Sequence, residues 1–156
     1  MRIYFVVFLT FLVGLILQIL PLPEVAQFYR PNWVAIILIY WSMALPNSIR
    51  LISAFCAGII VDILLGNLLG QHSIAFVIVV YINLFFNLRI RVLSIWQQAT
   101  YAFILLLINQ FFIVWIEGIS GSNPPIEAYF LPALTGMLIW PWAYFILRDI
   151  RRGALI

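Results

Sequence analysis

Six apolar runs, most of them long enough to cross a lipid bilayer, constrain this chain more than any other feature of its sequence. A helix needs roughly 20 residues to cross a ~30 Å hydrocarbon core, with about 17 as a practical minimum. Two of the six runs are shorter and would borrow flanking residues or lie where the bilayer thins. We therefore predict an all-α, polytopic membrane protein with six transmembrane helices. The runs fall at about 3–20, 32–45, 49–65, 73–88, 95–116 and 128–147.

The composition supports this fold class and excludes several functions. The chain of 156 residues is 66% hydrophobic and 8% charged, whereas soluble domains are about half apolar and a quarter charged. The runs occupy most of the chain, so we expect a single helical domain over 1–156, without a soluble catalytic domain or a cofactor. No basic patch with interleaved aromatic residues indicates nucleic acid, and the one cysteine, Cys56, reads as a small buried hydrophobe rather than a metal ligand.

The positive charges predict the topology. All eight cations are arginines, and seven of them fall on one side if the N-terminus is cytoplasmic. Cytoplasmic loops of membrane proteins are enriched in Lys and Arg, so we predict that both termini are cytoplasmic. The opposite side holds only Arg30, together with Glu24, Glu117 and Glu127.

The third run carries small residues at every fourth position, interrupted by one carboxylate. Residues four apart lie on one face of a helix, and small residues there allow another helix to approach closely. We therefore predict a helix-packing or partner-binding face, which does not account for the carboxylate of Asp62. The small residues of this face are Ala54, Gly58, Gly66 and Gly70.

Asp62 is predicted to lie in the outer half of the membrane with most of the other polar residues. At 1.5 Å per residue it lies about 20 Å along a helix that begins inside at Ile49. Similar arithmetic brings polar residues of other runs to the same height, and three more follow in the outer turn after the third run. The candidate outer pocket or polar seam comprises Asn32, Asp62, Asn67, Gln71, His72, Asn109, Gln110 and Thr135.

Two interpretations of Asp62 remain open. An ionisable residue inside the membrane is a candidate functional site, but polar residues also join helices through hydrogen bonds. Only outer loops that fold back would bring Arg30 or His72 to Asp62. Otherwise we expect a neutral acid that is hydrogen-bonded to Asn109 or Gln110.

Catalysis has little support in the sequence. The segment GISG at 118–121 superficially resembles the nucleophile turn of rhomboid proteases, but Ser120 lies in a predicted loop and His72 is the one histidine. A serine hydrolase requires a nucleophile, a base and oxyanion donors that converge. An intramembrane hydrolase is therefore a third hypothesis only, and we assign no catalytic or metal-binding residue.

Four segments resemble one known family in order along nearly the whole chain. They are RPNWVAIILIYWSMALP (30–46), AGIIVDILLGNLLGQHSIAF (57–76), WQQA (96–99) and LIWPWAYFILRDIRR (138–152). The chain resembles the rod shape-determining MreD family of bacterial inner-membrane proteins. The matching signature positions are Pro31, Asn32, Trp33, Tyr40, Trp41, Pro46, Asp62, Gly66, Gly70, Trp140, Pro141 and Trp142.

The resemblance implies a non-enzymatic scaffold subunit of the elongation machinery. Its expected direct partner is MreC, and the same complex would hold MreB filaments, a RodA-type glycosyltransferase and a class B penicillin-binding transpeptidase. The family's layout is also similar to the substrate-binding subunits of energy-coupling-factor transporters, which bind ligands in the outer half of the bundle. The alternative is therefore a small-molecule or lipid-binding membrane subunit that uses a pocket around Asp62.

Overall fold

The computed structural model describes the backbone of residues 1–156 and all side chains except those of Phe28, Ala128 and Tyr129. The described chain folds into six α-helices and one 3-10 helix, without a strand. The predicted all-α fold is thus confirmed, with one helix for each apolar run. The helices are α1 Arg2–Ile19, α2 Trp33–Ala44, α3 Leu51–Leu65, α4 Gln71–Ile90, α5 Ile95–Ile119 and α6 Glu127–Leu155, with the 3-10 helix Glu24–Tyr29 between α1 and α2.

Four of the described helices are long and apolar enough to cross a membrane: α1, α4, α5 and α6. The remaining two are shorter, with 12 residues in α2 and 15 in α3. At 1.5 Å per residue they reach about 18 and 22 Å, less than the ~30 Å hydrocarbon core. A multi-pass protein follows from the long helices, while six full spans with both termini inside remain a prediction.

The short helix α2 lies at the centre of the bundle. Every residue from 34 to 43 is buried, and α2 packs against α1, α4, α5 and α6. A helix that is apolar on all sides is compatible with such an enclosed position. Its ends are satisfied by protein, because Asn32 Oδ1 accepts from the Ala35 N–H at 3.1 Å and Arg91 Nη2 donates to the Met43 carbonyl at 2.7 Å. Because neighbouring side chains supply these partners, α2 can end within the membrane.

Contacts between the ends of different helices define two distinct ends of the bundle. One end is joined by the bond from Arg91 to Met43, and the other by the bond from Gln71 Nε2 to Glu117 Oε1 at 3.1 Å. We call the first the arginine-rich end and the second the arginine-poor end. The arginine-rich end carries Arg2, Arg50, Arg89, Arg91, Arg148, Arg151 and Arg152.

Candidate functional site: a buried aspartate between two helices

The connection between α3 and α4 differs from the predicted continuous stripe of small residues. The prediction that Gly66 and Gly70 belong to this helix-packing face is wrong, because α3 ends at Leu65. Gly66 ends α3 with φ 70° and Gly70 precedes α4 with φ 97°, a left-handed conformation that glycine adopts without steric cost. The chain therefore reverses within a few residues. Gln71 and His72, predicted in the outer turn, are instead the first residues of α4.

This reversal brings the first turn of α4 onto the carboxylate of Asp62, which is fully buried. Asp62 Oδ2 accepts from the Gly70 N–H at 2.9 Å, and Oδ1 accepts from the His72 N–H at 3.1 Å. His72 Nδ1 lies 2.7 Å from Asp62 Oδ1. The first N–H groups of a helix lack intrahelical partners and carry partial positive charge. Asp62 therefore caps α4 from the preceding helix.

The sequence left two sets of partners for Asp62, either Asn109 or Gln110, or else Arg30 or His72. Among the described side chains, neither Asn109 nor Gln110 donates to Asp62, so the expected bonds to these amides are absent. The reversal between α3 and α4 instead brings His72, in the first turn of α4, to Asp62. Arg30 does not take part, because it donates to two main-chain carbonyls near the end of α1.

The remaining part of the predicted packing face is covered by α4 of the same chain. Gly58 lies so close to Ser73 that an added Cβ would overlap the backbone of Ser73. The Ser73 hydroxyl donates to the Phe55 carbonyl at 3.0 Å, and Ala54 is fully buried. These contacts hold α3 and α4 together along the face that the sequence assigned to helix packing or a partner.

The side-chain amides of Gln71 and Asn109 differ in their contacts near Asp62. Gln71 Nε2 donates to the Ile113 carbonyl at 3.3 Å as well as to Glu117. Asn109 is buried on α5, and its Oδ1 has no partner within the described part of the chain. The polar contacts at the arginine-poor end therefore link α3, α4 and α5 through Asp62, His72 and Gln71.

The other residues of the predicted pocket or seam do not join this cluster. Asn32 caps α2, and the Thr135 hydroxyl donates to the Leu131 carbonyl of its own helix at 2.9 Å. Asn67 is half-buried in the loop between α3 and α4. These polar residues thus make separate local contacts. Of the predicted pocket or seam, Asp62 and His72 contact each other directly.

Ser120 and His72, the residues of the hydrolase hypothesis, both make structural hydrogen bonds. The Ser120 hydroxyl donates to the Glu117 carbonyl at 2.7 Å, and His72 is engaged by Asp62. Within the described residues, no group of three or more His, Cys, Asp or Glu side chains could hold a metal ion.

The signature aromatic residues divide between the core and the surface. Trp41 is fully buried on α2, and its Nε1 donates to Thr10 Oγ1 of α1 at 2.9 Å. Trp140 is buried on α6, whereas Trp142 is 77% exposed and Pro141 between them lies inside the helix. Of the other signature positions, Pro31 and Tyr40 are buried, and Trp33 and Pro46 are half-buried.

The structure also contains an apolar groove between α1 and α3 that the sequence did not indicate. Its volume is about 380 Å³, and its floor includes Val34 of the central helix. Cys56 was predicted to be buried, but it is exposed in this groove. Helical periodicity alone could not find the groove, because it depends on how α1 and α3 diverge. We define the α1–α3 groove by Tyr4, Phe8 and Phe11 of α1 and by Ser53, Cys56 and Ala57 of α3.

The long apolar helices and the buried polar contacts between them define a multi-pass helical membrane protein. Residues 1–150 match the family of the rod shape-determining protein MreD, and the chain belongs to that family. It is 29% identical over 149 residues to the rod shape-determining protein MreD of Haemophilus influenzae, covering 96% of this chain and 92% of that protein. No solved structure matches the chain.

Proposed function

We propose that the chain is a non-enzymatic scaffold subunit of the rod-shape machinery in the bacterial inner membrane. In this proposal it binds the single span of MreC in the α1–α3 groove. Through MreC it helps to couple MreB filaments to a RodA-type glycosyltransferase and a class B penicillin-binding transpeptidase. The observation that carries the proposal is the groove itself, an apolar opening between two helices in a family of shape-determining proteins.

The groove has the chemistry that a transmembrane helix requires. Within lipid, apolar surface alone does not drive helices together, and association depends on close packing at small residues. The α3 wall offers Ser53, Cys56 and Ala57, while α1 contributes larger aromatic residues. A partner helix could therefore approach the α3 backbone closely while the aromatic rings pack against its side.

The proposed contact lies beside the predicted small-residue face, not on it. Gly58 is covered by α4, and Ala54 is fully buried. The groove residues Ser53 and Ala57 directly precede them, so they lie about 100° away around a helix of 3.6 residues per turn. The surface open to a partner is thus the adjacent stripe of α3.

Disulfide crosslinking from the native Cys56 tests this contact. A series of single cysteines along the MreC span should give crosslinks to Cys56 at positions spaced three or four residues apart, because one helical face would enter the groove. The measurement is the amount of crosslinked heterodimer on a non-reducing gel after oxidation of membranes.

A matched control moves the thiol to the outward face of the same helix. The double variant Cys56→Ala, Phe55→Cys keeps a single cysteine, and Phe55 is 51% exposed outside the groove, about 100° around the helix from Cys56. The control should give little heterodimer. Periodic crosslinks from position 55 combined with none from Cys56 would refute the groove as the docking site.

Filling the groove should weaken the same complex. We expect Ala57→Trp to reduce copurification of MreC about tenfold or more, because the indole would occupy the space of a close-packed helix, and tenfold corresponds to about 1.4 kcal/mol. Ile52→Trp, at a position of α3 that is 78% exposed, outside the groove and about 140° around the helix from Ala57, is the control and should retain MreC. Equal recovery of MreC with both variants would contradict the proposal.

The alternative function, a small-molecule or lipid binder that uses a pocket around Asp62, has weaker support. The carboxylate already accepts from two backbone N–H groups and faces the His72 imidazole. A ligand would have to displace these contacts, at the cost of leaving the first turn of α4 without its cap.

A further inference from the structure

A second cavity lies at the arginine-rich end, away from the α1–α3 groove and from Asp62. Its volume is about 250 Å³. It opens between the end of α2, the start of α5 and the last turns of α6, with Arg91 from the α4–α5 connection at its edge. Two guanidinium groups line it, and no described carboxylate does. The lining residues are Tyr40, Met43, Ala44, Arg91, Gln98, Tyr144 and Arg151.

Three polar atoms of this lining are buried without a hydrogen-bond partner among the described residues. They are the Tyr40 hydroxyl, Gln98 Oε1 and Arg151 Nε. Tyr40 is only 1% exposed and Gln98 only 3% exposed. Buried polar atoms in folded proteins almost always have partners. Three unpartnered atoms around one cavity therefore leave hydrogen-bonding capacity for a group bound there.

The donors around the cavity fit an anion. Tyr40 supplies an O–H and Arg151 an N–H, while Arg91 uses Nε and Nη2 on the Met43 carbonyl and retains Nη1. Guanidinium groups suit phosphate oxygens in geometry and charge. The charge of the cavity is not cancelled by a neighbour, because Asp149 pairs with Arg148 instead.

The unpartnered acceptor Gln98 Oε1 further restricts which anion could bind in the cavity. Gln98 Nε2 is already held by the Ile90 carbonyl at 3.2 Å, so the amide orientation is fixed and its oxygen needs a donor. A fully deprotonated phosphate group has no donor to offer. A phosphate that carries a proton or a neighbouring hydroxyl has one.

We propose that this cavity binds a phosphate group that carries or adjoins a hydroxyl. The volume suits a headgroup, because pockets for larger organic ligands span about 300–1,000 Å³. Basic pockets between transmembrane helices commonly hold anionic lipid headgroups. The two sources with this chemistry are an anionic phospholipid such as phosphatidylglycerol and soluble hydrogen phosphate.

Binding to the purified full-length chain in detergent tests the site. The probes are phosphatidylglycerol and inorganic phosphate, with binding measured by native mass spectrometry and by the shift in melting temperature. Arg151→Gln should weaken binding about tenfold, because a charged hydrogen bond is lost. Tyr40→Phe should weaken it about threefold to tenfold through loss of one neutral bond. Arg152→Gln removes the same charge from an exposed residue outside the cavity and should change binding less than twofold.

The outcomes separate the sources and can overturn the site. Response to phosphatidylglycerol alone assigns a lipid headgroup, and response to both probes assigns a site open to soluble phosphate. Equal losses in Arg151→Gln and Arg152→Gln would show diffuse charge attraction and overturn the proposal, as would no response to either probe. Tyr40→Phe removes only an unpartnered hydroxyl, so this variant should fold and keep the test decisive if Arg151→Gln does not.

Discussion

Replacement of Asp62 by alanine is expected to lower the free energy of unfolding by about 2–6 kcal/mol, because two buried N–H groups would lose their acceptor at about 1–3 kcal/mol each. The Gly70 and His72 N–H groups would lose their acceptor, and the His72 ring would face an apolar gap. Asp62 is fully buried, so these groups are not open to bulk water. The measurement is the unfolding midpoint in mixed micelles of mild detergent and SDS.

Two further variants provide comparisons for the loss of stability in Asp62→Ala. Asp149→Ala removes an exposed acid and should change stability by less than about 0.5 kcal/mol. Asp62→Asn keeps one acceptor oxygen and should fall between these extremes, since its amide N–H₂ cannot accept from α4. An Asp62→Ala variant as stable as Asp149→Ala would contradict the capping role.

The asparagine variant also separates structure from ligand binding. If Asp62 acts only through its structural hydrogen bonds, a folded Asp62→Asn protein should still support rod shape. A folded Asp62→Asn protein that binds MreC normally but fails to restore rod shape would favour the alternative of a ligand held by the carboxylate.

Gly58→Ala is the second large effect that we expect, with a loss of about 1–3 kcal/mol from overpacking. The added methyl group would overlap backbone atoms of Ser73. Backbone cannot rotate aside as a flexible side chain can, so α3 and α4 would have to separate. That movement would also stretch the bond from Ser73 to Phe55 and the cap on α4. Thermal melting in detergent measures the loss.

Helical glycines in open space provide the control for Gly58. An added Cβ at Gly118 or Gly153 would meet no atom within 4 Å. Alanine is favoured over glycine within helices by about 0.8–1 kcal/mol, so these substitutions should be neutral or stabilising. A Gly58→Ala protein that gains stability like the controls would contradict the close approach of α3 and α4.

The sequence predicted the helical class and the locations of the helices well, because both depend on local properties. Hydrophobic length predicts a helix in lipid, where every backbone polar group must be satisfied within the segment. The glycine pattern was less informative. Gly58 is a packing position and Gly66 ends a helix, yet both occur in the same four-residue series.

The partners of Asp62 were the main prediction that the structure changed. Counting residues along straight helices brought Asp62 level with Asn109 and Gln110, but height in the membrane does not tell which side chains face each other. The reversal at Gly66 and Gly70 brought the start of α4 to the carboxylate. Residue spacing could not reveal that cap, since it depends on two backbone dihedral angles.

By itself, the sequence determined a polytopic helical protein of the MreD family and a strong asymmetry of arginine between its ends. These properties are sums over the chain and do not require knowledge of which helices touch. Only the tertiary structure decided that α2 is enclosed, that the Gly58 face is already covered by α4 and that Cys56 opens to a groove. Each of these depends on the relative rotation and separation of helices, which hydrophobic residues on all sides of a helix leave unspecified.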